Sequence, residues 1–405
     1  MLETQLYFNF KDMFRAPRLA LGRRMLVMLE ALGLGYFVLL IMTYLGLLIE
    51  GWSFGKIWSS YHLLPPIFTI PADGFWGSLL FYLAYAILFV LVYIGFTAVA
   101  KITIKEYKGD LFYSSRDGWS WALKNWFPTF FGPISILIVI AFFLILAIIF
   151  GWLAQWPVLD ILFYGLLFVI YLPTAVFLAY SVLSFVVGLF MSPSIVACAE
   201  EDTMGSMFGA YTLLWNQPTR LITYLLMLTG LTFIGYHLFG LFILAGFKLL
   251  EMVFSMDWLM GTTFLATKQV SLNLFGGFEF LPSYWQVPEC LTALCKVDLV
   301  GTGVTTGITG VLVGLVSLLG FLAVPAYGLA TIATGLATAF IVLTKHKDDD
   351  DLIKRLDADE RAEKEAEEQE NDEASEEDAE STPTESETEP ETDTASDEEE
   401  PPEKA

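Results

Sequence analysis

The chain has 405 residues and a mean hydropathy of +0.59, yet its formal net charge is −23. Residues 348–405 hold 28 Asp and Glu against five Lys and Arg, whereas residues 1–347 balance 17 acids with 17 bases. The neutral part contains repeated apolar runs of about 20 residues, the length that crosses a bilayer as a helix, so a soluble globular protein and an alternating transmembrane β-barrel are both disfavoured.

Residues 1–24 are predicted to form a cytoplasmic amphipathic segment that lies in the membrane interface. Helical spacing puts aromatic side chains on one face and basic side chains on another. The aromatic face holds Tyr7, Phe10 and Phe14, and the basic face holds Lys11, Arg15 and Arg18. Aromatic rings suit the edge of the hydrocarbon layer, and cations suit anionic lipid. Pro17 is expected to end this helix.

Six apolar segments are predicted to cross the membrane as helices. They cover about 25–49, 76–100, 133–154, 159–191, 221–249 and 311–344. The predicted fold class is therefore all-α, a polytopic transmembrane helical bundle. The fourth and sixth segments exceed the usual length, and they contain Pro173 and Pro325. A proline in a long span predicts a kinked or tilted helix, or one with an interfacial extension.

The distribution of Lys and Arg predicts the orientation of these spans. Basic residues concentrate before the first span and between the second and third, whereas the first and third loops offer only Lys56. The positive-inside rule then predicts that both termini are cytoplasmic. The expected location is a bacterial plasma (inner) membrane. The basic residues on the predicted cytoplasmic side are Lys11, Arg15, Arg18, Arg23, Arg24, Lys101, Lys105, Lys108, Arg116, Lys124, Lys345 and Lys347.

Similar segments precede the first, third and fifth spans. In the second copy Asp117 can cap a helix, and in the third Asp202 precedes a comparable aromatic stripe. The stripes hold Trp119, Ala122, Leu123 and Trp126 in the second copy, and Met204, Met207, Phe208, Tyr211 and Trp215 in the third. The elbows NWFPT at 125–129 and WNQPT at 215–219 also correspond. The pattern predicts three parallel units, each an interfacial helix, an elbow and two spans.

Two ionisable residues are predicted at membrane depth, and such groups are functional candidates by default. Glu30 lies early in the first span and His237 lies within the fifth. The structural alternatives are an ion pair of Glu30 with Arg23 or Arg24, and a hydrogen bond from His237 to a facing carbonyl. Ser192 and Ser194 are expected to serve a helix end.

No catalytic, cofactor-binding or metal-binding residues are predicted. The chain has three histidines, and it lacks HExxH, Walker A and GxSxG motifs, so most metal and nucleophile chemistry has no candidate side chains. The expectation is that the protein is not an enzyme. Nucleic acid is excluded as a partner of the tail by its charge sign.

The segment 250–300 is predicted to lie outside the membrane as a loop rich in aromatic residues. Cys290 and Cys295 fall in this loop, where an oxidising compartment permits a disulfide. The loop is interpreted either as an interfacial segment or as a lid or docking surface. Small residues follow it, and they allow close helix packing within the bundle or in a homo-oligomer. They are Gly303, Gly307, Gly310 and Gly314, then Ala330, Ala333 and Ala337.

Residues 348–405 are predicted to be an acidic, disordered cytoplasmic tail, because the composition cannot bury enough apolar surface to offset the entropy of ordering. A short helix is possible at its start, where Leu352, Ile353 and Leu356 share a face. The tail is interpreted as a solubilising extension or as a weak tether for basic partners.

The opening FNFKDMFRAPRLALGRRM and the last span leading into FIVLTKHKDDDDL resemble features of uncharacterised bacterial six-span membrane proteins with interfacial elbow helices. The resemblance implies an architecture and no activity. The sequence therefore favours a non-enzymatic structural, interaction or assembly role in the cell envelope, with other membrane proteins and the lipid bilayer as partners. A transporter or channel for a small or lipidic solute is the alternative.

Overall fold

A computed structural model describes residues 6–64, 74–275, 303–348, 351–357 and 361, and within these ranges the regular structure is helical. Six helices are long and apolar enough to cross a membrane, which confirms the predicted fold class. A helix satisfies its own backbone hydrogen bonds, which lipid cannot do for it. The six are α2 (Arg23–Ile49), α4 (Phe75–Tyr107), α6 (Trp126–Leu153), α7 (Phe168–Ala199), α9 (Pro218–Phe254) and α11 (Val304–Asp348).

Shorter helices connect and precede these six. A 3₁₀ helix (Phe10–Arg15) and α1 (Ala16–Leu19) come before α2, and α3 (Phe54–Tyr61) follows it. Helix α5 (Ser115–Lys124) precedes α6, a π-helix (Ile161–Leu166) precedes α7, α8 (Thr203–Asn216) precedes α9, and α10 (Thr262–Asn273) follows α9. A short helix followed by two long helices therefore occurs three times along the chain, as predicted; the position of the short helices in the membrane interface stays a prediction.

Two details of these predicted elements were wrong. Pro17 does not end a helix but lies in the first turn of α1, where its missing N–H costs no hydrogen bond. Ser114, not Asp117, caps α5; its Oγ accepts from the Asp117 N–H at 3.2 Å, and the Asp117 carboxylate accepts from the Ser114 N–H at 3.0 Å. The Ser114 hydroxyl also donates to the Asp117 carboxylate at 2.7 Å, and this bond, together with the one from the Ser114 N–H, holds the pKa of Asp117 below its ordinary value. The fourth predicted span begins as the π-helix and continues as α7, which is the part long and apolar enough to cross a membrane.

The long helices pair as three antiparallel hairpins: hairpin 1 is α2 with α4, hairpin 2 is α6 with α7, and hairpin 3 is α9 with α11. Gly46 shows how close the first pair is, since a Cβ added there would lie 3.0 Å from the Cα of Gly77. Contacts between small residues are the usual way for helices to approach closely in lipid.

The hairpins converge where α4, α7 and α11, the second helix of each, reach their C-terminal ends. We call this end of the bundle the inner end and the opposite end the outer end. The largest described core cluster lies here, and it includes Ile104 of α4, Ile195 of α7 and Ile341 of α11, which are each 1% exposed or less. Each long helix thus buries its inner third most completely, and the burial fixes the three hairpins against one another.

At the outer end, the segments that follow two short helices, α3 and α10, contact each other and the first long helix. The Tyr36 and Tyr44 hydroxyls of α2 donate to the carbonyls of Leu63 and His62, which directly follow α3. The Leu63 N–H donates to the carbonyl of Leu274, just after α10, at 3.0 Å. Because Tyr36 lies near the middle of α2, the backbone at 62–64 packs against the outer half of that helix. We call the contact between these chain segments the α3–α10 seam; it joins hairpin 1 to hairpin 3.

The outer half of hairpin 2, residues 137–180, has a different environment. No residue in this range is buried, although Ile136 and Ser181 on either side of it are both fully buried. The outer parts of α6 and α7 contact each other, for example through Phe143 and Phe177, whose ring centroids are 5.8 Å apart. Hairpin 2 is therefore held mainly at the inner end.

Several expectations fall wholly or partly outside the described residues. Cys290 and Cys295 lie there, as do most of the acidic tail and the second half of the loop at 250–300. The first half of that loop is helical, as α10. At the start of the tail, Leu352 is buried in the inner-end core as part of a turn, so the short helix expected around it is not formed there.

Candidate functional site

Two arginines and a glutamate bind hairpin 1 together at the inner end. Arg23 and Arg24 of α2 place Nη2 atoms 3.0 and 3.1 Å from Oε2 of Glu106 in α4. Arg24 also donates from Nε to the Thr103 hydroxyl at 2.9 Å and from Nη1 to the Leu19 carbonyl at 2.6 Å. The Arg24 side chain is 4% exposed, so its charge depends on these partners.

A buried lysine joins hairpin 1 to hairpin 2. Lys101 of α4 is 1% exposed, and its Nζ lies 2.6 Å from Oε1 of Glu200, the residue after α7. The ammonium group also lies 4.6 Å from the ring centroid of Trp121 in α5. Glu200 has a φ of +55°, a left-handed conformation that ends α7 and turns the chain toward α8. This ion pair is largely shielded from water, and it links the inner end of α4 to the end of α7.

A hydroxyl network lies beside this ion pair, among α6, α7 and α8. The Ser192 hydroxyl is 2.8 Å from the Thr129 carbonyl, to which it donates, and also 2.8 Å from the Ser206 hydroxyl. Gly132 of α6 faces both serines, and a Cβ added there would lie 2.9 Å from the Cβ of Ser206. The expectation that Ser192 and Ser194 serve a helix end was wrong, because both are buried within α7.

The two predicted intramembrane candidates, Glu30 and His237, lie apart and do not form a common site. Glu30 does not pair with Arg23 or Arg24, which turn to Glu106; its Oε2 instead accepts from Trp119 Nε1 of α5 at 2.8 Å. Nδ1 of His237 lies 2.8 Å from the carbonyl of Phe233, one turn earlier in its own helix.

The residues that hold the helices together at the inner end, Lys101, Glu106, Glu200 and Gly132, were not identified from the sequence as making these contacts. Their signal was weak but present: Lys101 and Glu106 are charged residues that continue the helical register beyond an apolar run, and Glu200 directly follows one. Periodicity predicts that such residues lie near a membrane boundary, but it does not identify their partners, which are far away in sequence.

The predicted small-residue stripe is partly used within the chain. A Cβ added at Gly310 would lie 2.6 Å from the Cβ of Val270, and one at Gly314 would meet Leu274, so both glycines pack against α10 and the residues after it. Gly307 faces open space, and Gly303 approaches only the nearby Thr305. A homo-oligomer through this stripe stays a prediction.

Hairpin 2 carries an open apolar cleft of about 210 Å³ near its outer end. Its floor consists of small residues: Ala147 and Gly151 of α6, and Ala154 in the turn after it. Its wall is formed by Phe163, Tyr164 and Tyr171. Gly151 has no heavy atom within 4 Å of an added Cβ, so the floor is unoccupied by the chain itself.

Within the part of the chain that the structure describes, no three His, Cys, Asp or Glu side chains converge as a metal site would require. The polar groups at the inner end hold helices together, and the cleft of hairpin 2 offers an apolar surface. No protein-family model, curated protein or solved structure matches the chain.

Proposed function

We propose that the protein is a non-enzymatic component of a bacterial plasma membrane that organises or assists other membrane proteins, with both termini in the cytoplasm. The surface proposed for this role is the outer half of hairpin 2, and the proposed occupant is a transmembrane helix of another protein. The carrying observation is that residues 137–180 contain no buried residue in a hairpin that is held mainly at the inner end.

The cleft supports a helix as the occupant. In lipid, helix association depends on close backbone approach, because acyl chains are as apolar as leucine. Ala147 and Gly151 are one helical turn apart, and Gly151 leaves its space open. The aromatic wall at Phe163, Tyr164 and Tyr171 would then pack against the partner's side chains.

A matched glycine pair tests this proposal. Gly151→Leu fills the floor of the cleft, whereas Gly230→Leu adds the same side chain to α9, where an added Cβ also meets nothing within 4 Å. After purification in mild detergent, Gly151→Leu is expected to lose co-purifying membrane proteins that the wild type and Gly230→Leu retain. Equal recovery of partners by all three proteins, or recovery of each as a lone chain, would contradict the proposal.

Photo-crosslinking gives a second measurement in the intact membrane. A photoreactive residue at Leu144 or Val169 of hairpin 2 is expected to give discrete protein adducts, and one at Phe242 of α9 is expected to give none. All three side chains are exposed, by 49%, 79% and 75%. The same adducts from all three positions would show random collision rather than docking.

A transporter or channel for a small or lipidic solute is the second candidate, and the α3–α10 seam favours it. Non-helical backbone at membrane depth occurs in proteins where it is buried or lines a cavity, and transporters build substrate sites from such segments. Flux in proteoliposomes tests this: Tyr36→Phe with Tyr44→Phe would alter flux, as would His237→Ala or Glu30→Gln if those residues lie on the route. Vesicles without flux for a panel of small and lipidic solutes would remove this candidate.

A further inference from the structure

Two groups of basic residues at the inner end differ in their partners. Arg23, Arg24 and Lys101 lie in ion pairs with Glu106 and Glu200. A second group, on the 3₁₀–α1 segment and α5, is exposed and, among the described residues, has no acidic group within ion-pair distance; it holds Lys11, Arg18, Arg116 and Lys124. Arg220, at the elbow after α8, is exposed in the same way but lies on neither of these elements. The bundle therefore does not need the second group for its own packing.

The second group lies on two interfacial elements, the 3₁₀–α1 segment and α5. Each element is fixed to the bundle. The Tyr327 hydroxyl of α11 donates to the Pro17 carbonyl at 3.1 Å, and Gly118 of α5 approaches Ile102 of α4 so closely that an added Cβ would lie 2.9 Å from its Cδ1. The exposed cations are thus held at a constant depth, where the long helices end.

Large apolar side chains are exposed beside these cations. Phe10 and Phe14 flank Lys11, with 54% and 59% of their surface exposed, and Leu123 and Trp126 flank Lys124. This combination matches the boundary between acyl chains and headgroups, where rings insert and cations remain in the polar layer. A soluble acidic partner would account for the cations but not for the exposed rings.

Helix α8 has the same position in the third repeat but a different charge. It exposes Met204, Phe208 and Trp215, yet residues 203–216 contain no Lys or Arg, and Glu200, Glu201 and Asp202 precede it. The aromatic part of the motif is therefore present three times, and the cationic part on the interfacial helix only twice.

We propose that the 3₁₀–α1 segment and α5 bind anionic phospholipid headgroups in one leaflet, and that α8 sits in the same interface without selecting for charge. The annular lipid is then asymmetric: anionic lipid is enriched around hairpins 1 and 2 and not around hairpin 3. This inference does not depend on the function proposed for the outer half of hairpin 2.

The test uses the full chain reconstituted in phosphatidylcholine vesicles at low salt, with spin-labelled phosphatidylglycerol or phosphatidylcholine as probes. The wild type is expected to prefer the phosphatidylglycerol probe roughly threefold or more, and the preference is expected to fall as salt screens the exposed charges. The variant Lys11→Gln, Arg18→Gln, Arg116→Gln and Lys124→Gln is expected to bind both probes alike.

Two controls separate local binding from net charge and from misfolding. Arg220→Gln removes an exposed cation at the elbow after α8 and should leave the preference in place. The exchange Lys11→Arg, Arg18→Lys, Arg116→Lys and Lys124→Arg keeps every charge and should keep the preference as well. An unchanged preference in the four-fold Gln variant would overturn the proposal, and so would an equal loss in Arg220→Gln.

Discussion

Gly132 shows how a single missing side chain makes room for a polar contact between helices. Its hydrogen occupies the space beside the Ser192 and Ser206 hydroxyls, so α6 can pack against α7 and α8 while the serines stay bonded. A hydrogen bond between buried hydroxyls is modest in itself, but leaving these groups unpaired in an apolar environment is costly.

Gly132→Ala is therefore expected to destabilise the protein, by about 1–3 kcal/mol, because the new methyl group overlaps Ser206 in a packed region. Gly151→Ala is the matched control, since it adds the same group on the same helix where nothing lies within 4 Å. Thermal unfolding in one detergent measures both. Equal melting temperatures for the two variants would show that the close packing around Gly132 does not contribute to stability.

The ion pair of Lys101 and Glu200 makes a second prediction at this scale. Glu200→Gln removes the charge that compensates a fully buried ammonium group, and breaking such a pair costs about 3–5 kcal/mol. Lys101→Met with Glu200→Gln removes both charges and is expected to recover most of that loss. A double variant no more stable than Glu200→Gln alone, in denaturant titration, would contradict a compensating pair.

At the scale of the helix, continuous apolarity predicted the six spans because lipid leaves a backbone no other donor or acceptor. The same signal could not place the true ends. Helix α4 continues through Lys101 and Lys105 to Tyr107, since Glu200 offsets the charge of Lys101 and the Arg24 guanidinium holds Glu106 beyond it. The structural alternative for Glu30, an ion pair with Arg23 or Arg24, failed for a related reason. Spacing along one helix suggests partners that are close in sequence, whereas the actual partner, Trp119, is 89 residues away.

The α3–α10 seam could not be predicted either, because its bonds involve carbonyls that any residue would supply. Tyr36→Phe with Tyr44→Phe is expected to loosen it, and hydrogen–deuterium exchange in residues 54–64 should rise several-fold as local opening becomes easier. Tyr82→Phe is the control, since Tyr82 is 58% exposed. Exchange that rises equally in both proteins, or in neither, would show that the two hydroxyls do not secure the seam.

For the whole molecule, the three-fold order of interfacial helix, elbow and hairpin was predicted from similar stripes and elbows. How the hairpins meet was not, because the packing of α4, α7 and α11 depends on long-range contacts such as Tyr107 with Thr338, whose hydroxyls are 3.1 Å apart. The orientation of this assembly in the membrane remains a prediction from the positive-inside rule.

Two cysteines on either side of α9 test that orientation in a background with Cys198, Cys290 and Cys295 replaced by Ala. Asn216→Cys lies at the inner end and Asp257→Cys at the outer end, and both positions are exposed. In intact right-side-out vesicles, an impermeant maleimide should label Asp257→Cys alone, and Asn216→Cys only after the membrane is opened. Labelling of both in sealed vesicles would contradict a crossing by α9, and the reverse pattern would invert the bundle.

The one-sided support of hairpin 2 has a mechanical consequence. Because hairpin 2 is fixed mainly at its inner end, its outer half can tilt, and the thickness of the surrounding bilayer determines the tilt that best covers its apolar surface. In a thinner membrane residues 137–180 can tilt to keep their apolar surface covered, at a cost of fractions of a kcal/mol per Å of mismatch, while the clamp at Gly132 and Ser192 is undisturbed. The tilt of the outer half of hairpin 2 would then vary with the lipid composition of the surrounding membrane.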